Sequence, residues 1–157
     1  MLSKLLDLKR LLLVSPEALC LLIVILFFQR YPGLFEVIAI AVKHSKGLPS
    51  FLGGLPLFLV GISYQLGMGI LRPGDEDENK VLYEWPYYWA IEFRVYGSIA
   101  ICALATCATA LFYLNPLDWP PEFLGAIFVG AMLVPVVTVV PLLLAKMAIR
   151  KILTLHG

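Results

Sequence analysis

"WAIEFRVYGSIAICALATCATALFYL", residues 89–114, decides the fold. Glu92 and Arg94 stand near its start, and no further charge follows before Leu114. A helix that crosses a bilayer needs about 20 mostly apolar residues. This stretch meets that length, and so do residues 50–71 and 122–146. Composition agrees. The chain has 157 residues, of which 61% are hydrophobic and 15% charged, against about 45–50% apolar and about 25% charged in soluble domains. A soluble domain of this size cannot hide so much apolar surface, because the buried fraction is limited by chain length. Lipid is the remaining solvent for it.

The first apolar run is less simple. "LLLVSPEALCLLIVILFFQR", residues 11–30, contains "SPE" at 15–17. That triplet starts helices: Ser caps, Pro suits the first turn, and Glu meets the positive end of the dipole. "YPG" at 31–33 then breaks the helix. One reading is a span over 11–30, kinked at Pro16, followed by an interfacial amphipathic helix over 33–45. The other is an interfacial helix over 2–14 and a long span over 15–42 broken at Pro32. The second sets Arg30 near the bilayer centre, at about 2.5–3.5 kcal/mol, so the first is the expectation. The predicted fold is all-α: a single polytopic membrane domain with four transmembrane helices and one interfacial helix.

Lys and Arg in short loops set orientation. Lys4, Lys9 and Arg10 lie before the first span, Arg72 and Lys80 between the second and third, and Lys146, Arg150 and Lys151 at the end. The 115–122 loop, "NPLDWPPE", has neither residue type. Only Arg30, Lys43 and Lys46 oppose this pattern. The expectation is a multi-pass protein of the inner (plasma) membrane, with N- and C-termini cytoplasmic. No cleavable signal peptide is read in the N-terminal run.

The 72–87 loop is then cytoplasmic and acidic. Asp75, Glu76, Asp77 and Glu78 stand side by side, followed by Trp85, Tyr87, Tyr88 and Trp89. Trp and Tyr favour the membrane interface because their rings are part polar. The same residue types dominate protein–protein hot spots, so these eight are candidates for binding a soluble partner.

Within the membrane, close approach of small residues drives helix packing. Ser98, Cys102, Thr106 and Ala110 recur every four residues and mark a helix-packing face. Small residues also line the second and fourth spans, which supports tight packing either within the chain or between copies; a homo-oligomer is the expectation, because a small four-helix bundle has little interior of its own. Glu92, Arg94 and Gln65 are the intramembrane polar candidates. Glu92 and Arg94 lie close enough to the interface to act as anchors, or they serve a polar path or partner site. Gln65 suits an interhelical hydrogen bond.

Chemistry is sparse. The two histidines, His44 and His156, lie in different segments without a ligand partner at metal spacing. Cys20, Cys102 and Cys107 form no CxxC pair. Catalytic Ser, HExxH and phosphate-loop motifs are absent. "DEDEN" at 75–79 begins like a calcium loop, but Lys80 stands where Gly is needed and Pro86 where Glu is needed. No catalytic residue, cofactor or metal is expected, and a net charge of +1 gives no reason for direct nucleic-acid binding.

Size, span number and the central segment "ILRPGDEDENKVLYEWPYYWAIEFRV" resemble small four-span membrane subunits of bacterial anti-phage defence systems, such as the KwaA subunits of Kiwa systems. The resemblance implies antiviral defence: a membrane sensor that relays to a soluble cytoplasmic partner. It transfers no individual functional residue. The expectation is therefore a non-enzymatic, lipid-embedded subunit that oligomerises and docks a soluble protein. The alternative is a pore-forming or membrane-depolarising protein, such as a channel or holin-like effector.

Overall fold

The computed structural model describes residues 15–45, 48–72, 83 and 88–156. They form helices: α1 (Pro16–Arg30), α2 (Pro32–His44), α3 (Leu48–Leu71), α4 (Tyr88–Leu114) and α5 (Pro121–His156). Among the described residues, three helices contain stretches long and apolar enough to cross a membrane: Phe51–Leu71, Tyr88–Leu114 and Pro121–Met147. The count rises to four if α1 and α2 form one broken span. This all-helical architecture fits a helical membrane protein. Only 28%, 33% and 39% of the three apolar windows is buried inside the chain, leaving the larger part for lipid.

The start of α1 follows its local chemistry. Ser15 is extended, its Oγ accepts from the Ala18 amide at 3.1 Å, and Pro16 opens the helix. The helix therefore begins at Pro16 rather than kinking there, because proline suits a first turn that has no amide bond to lose. Residues 11–14 of the predicted first span lie outside the described residues, as does the alternative helix over 2–14. Tyr31 ends α1, and Pro32 starts α2 after a bend of 104°. Fifteen residues rise only about 22 Å, so α1 alone falls short of a bilayer core of about 30 Å.

The bend sends α2 across one end of the bundle. Phe35 and Ala39 of α2 are buried there, and Ala39 packs with Phe112 of α4 and Leu124 and Phe128 of α5. Gly125 makes the approach feasible: a Cβ at this position would collide with the Phe35 carbonyl. Arg30 stands at the outer corner, exposed, with its guanidinium 5.9 Å from the Tyr31 ring centroid. Phe28, one turn before the corner, meets Phe123 at the start of α5. Arg30 is therefore level with the helix ends and not midway along a straight rod.

A second cluster closes the opposite end. Ile70 and Leu71 of α3, Val95 of α4 and Leu142 of α5 are buried together, with Tyr88 and Ile91 packed against them. Gly67 leaves room for the Val95 side chain. Between the two clusters lies a layer of small polar side chains. Ser63, Ser98, Cys102 and Thr138 are all at most 1% exposed. Ser63 Oγ and Cys102 Sγ lie 3.2 Å apart across α3 and α4. The Ser98 and Thr138 hydroxyls donate to carbonyls four residues back in their own helices.

Candidate functional site: a buried ion pair between α1 and α4

Glu17 is the second residue of α1 and is 3% exposed. Arg94 lies six residues into α4, and its Nη2 donates to Glu17 Oε1 at 2.6 Å. The two helices run parallel here, so the first turn of α1 stands beside the second turn of α4. A buried carboxylate without a countercharge is costly, and the guanidinium meets that need. Glu17 Oε2 is also buried, and among the described residues it has no hydrogen-bond partner. Beside the pair is a cavity of about 250 Å³, lined by Ser15, Glu17, Arg94, Gly97 and Ser98 among others.

Arg94 thus has a specific internal partner. Its side chain is 26% exposed, against 4% for Glu17, so the carboxylate is the group that depends on the pairing. Sequence reading singled out Arg94 but took Glu17 only as a helix-start acid. The sole hint was a carboxylate inside an apolar run, since such residues face an interior and pair with one another. Glu92, two positions before Arg94, is half-buried.

The other predicted positions fall in different places. Gln65 is exposed on the outer side of α3 and makes no interhelical hydrogen bond among the described residues. The small-residue face of α4 turns largely inward: Ser98 and Cys102 are fully buried, Thr106 is half-buried, and Ala110 alone is exposed. Thr106 donates to the Cys102 carbonyl at 3.0 Å. Most of this face is consumed by packing within the chain, so it offers little to a second copy. Tyr88 and Trp89 are half-buried, and Tyr88 meets Tyr83 edge to face at 5.0 Å. Asp75, Glu76, Asp77, Glu78, Trp85 and Tyr87 lie outside the described residues. Among the described residues no three His, Cys, Asp or Glu side chains gather as a metal site would require.

Compared with known proteins, the chain matches no family model, no curated protein and no solved structure.

Proposed function

We propose that this chain is a non-enzymatic, four-span subunit of the inner membrane that oligomerises and docks a soluble cytoplasmic partner through residues 72–89. In this reading both termini are cytoplasmic, and the subunit is the membrane sensor or anchor of an anti-phage defence complex. One observation carries it. The two ends of the acidic, aromatic segment meet at a single cluster: Leu71 belongs to it with Val95, and Tyr88 packs against it. Val95 is the chain neighbour of Arg94. A partner bound to the segment would thus pull on the same helical turn that carries the buried ion pair.

The test is affinity purification of the full chain from its native membrane, with Asp75, Glu76, Asp77 and Glu78 either intact or all reversed to Lys. The expected result is a soluble protein recovered with the intact chain and lost on reversal, most clearly at low salt, where charge attraction is least screened. Equal recovery would overturn the docking role. Ion conductance from the purified chain alone in liposomes would favour a pore instead.

A further inference from the structure

Gln65 is the only Asn or Gln in the three apolar spans. It stands six residues before Leu71, so its Cα lies about 9 Å inside that end of the span. Side chains on a helix tilt towards its N-terminus, which here leads away from the nearer membrane surface and deeper among the acyl chains. Gln65 therefore does not reach the headgroups as a long cationic side chain near a helix end does. A carboxamide carries two donors and an acceptor, and lipid tails satisfy none of them. Among the described residues, no group of the chain pairs with Gln65 either.

The turn of α3 shows where that partner must come from. Ser63, Gly67 and Ile70 are buried against the bundle, whereas Gly54, Leu57, Phe58, Gly61, Tyr64 and Gln65 are exposed. At 3.6 residues per turn, Gly54, Gly61 and Gln65 lie within about 40° of one another, in the middle of the outer face. A Cβ on Gly54 or Gly61 would meet nothing within 4 Å. The chain thus points a carboxamide straight outward, with bare backbone one turn before it. A carboxamide is its own complement. A second copy in the same membrane orientation, related by a two-fold axis along the membrane normal, sets Gln65 opposite Gln65 at equal depth. Each amide then donates to the other's Oε1, and no charge enters the lipid. The open glycines let the two backbones come close enough for these bonds. We infer that two copies of the chain pair through the outer face of α3, with reciprocal Gln65–Gln65 hydrogen bonds at the contact. This rests on the proposal that the subunit oligomerises, and it names the face that does so.

The experiment uses the full chain with a C-terminal fluorophore, reconstituted into phosphatidylcholine vesicles over a range of protein-to-lipid ratios. Single-molecule photobleaching counts the copies in each particle. The expected result is a population that bleaches in two steps and grows with protein density. Gln65→Leu should weaken pairing about tenfold, since a tenfold change is about 1.4 kcal/mol, the scale of two bonds between membrane helices. Gly61→Leu fills space that is open in the single chain and should weaken pairing at least about tenfold by holding the helices apart. Leu104→Ala, at a side chain 68% exposed on α4, should leave pairing unchanged. Continued protection of Cys102, which is 0% exposed, from a thiol reagent verifies that each variant is folded. Pairing that survives both α3 substitutions would overturn the α3 contact and leave oligomerisation standing. An equal loss in Leu104→Ala would overturn the contact as well. Single-step bleaching of the unaltered chain at every density would overturn the contact and oligomerisation together.

Discussion

Arg94 Nη2 stands 2.6 Å from Glu17 Oε1 across 77 positions of sequence, and it ties the start of α1 to the second turn of α4. Removing one partner of such a pair strands the other. Arg94→Met should therefore lower stability by about 3 kcal/mol, towards the lower end of the range for buried pairs because the arginine is partly exposed. Glu17→Met combined with Arg94→Met should recover most of that loss, since an apolar pair of similar size is often neutral. Reversible unfolding in mixed micelles, read as a double-mutant cycle, measures both. Additive losses would show that the two side chains do not interact.

Gly125 and Gly54 make a matched comparison. A Cβ on Gly125 meets the Phe35 carbonyl, whereas one on Gly54 meets nothing within 4 Å. Gly125→Ala should push α2 off α5 and cost about 1–3 kcal/mol. Gly54→Ala should be neutral or stabilise by up to about 1 kcal/mol through backbone entropy. Thermal midpoints of the two variants in one detergent would show whether the α2–α5 contact is as close as described.

The α4–α5 connection depends on Asn115. Its φ is 40°, in the left-handed region, and its Oδ1 accepts from the Trp119 amide at 2.9 Å. Asn115→Gly keeps the backbone accessible and loses the side-chain bond, a change of about 1 kcal/mol. Asn115→Val loses the bond and adds about 1–2 kcal/mol of left-handed strain. Valine should lower the melting temperature more than glycine does. The reverse order would remove Asn115 from its assigned role.

The α3–α4 seam predicts thiol behaviour. Cys102 is fully buried against Ser63, whereas Cys107 is exposed. In detergent, a membrane-permeant maleimide should label Cys107, which faces the acyl chains, faster than Cys102, which reacts only as fast as the bundle opens. Ser63→Ala should cost less than about 1 kcal/mol, the usual scale for a side-chain bond between membrane helices. Rapid labelling of Cys102 in the intact protein would show that the seam is open.

Several features were legible because their causes are local. "SPE" carried the signal of a helix start at Ser15, since capping depends on three adjacent residues, although the preferred expectation kept a span over 11–30 with a kink at Pro16. "YPG" placed the break at Tyr31 for the same kind of reason. The direction and size of the 104° bend were not legible, because they are set by where Phe35 and Ala39 find Gly125 and Phe128 in a distant helix. The even spacing of Ser98, Cys102, Thr106 and Ala110 marked a packing face, but spacing carries no information on whether the partner is the same chain or another copy. Gln65 misled for a related reason: a polar residue inside a span says that a partner is useful, not which way the helix is turned.

By itself, the sequence determined the solvent this protein requires. Long apolar runs and few charges are additive properties, and they fix how much surface must leave water. Tertiary structure alone decided that Glu17 meets Arg94 and that the small-residue face of α4 is used largely within the chain. In lipid, one apolar face is solvated as well as another, so hydrophobicity does not choose among pairings. Close backbone approach and the neutralisation of buried charge make that choice, and both depend on residues far apart in the chain.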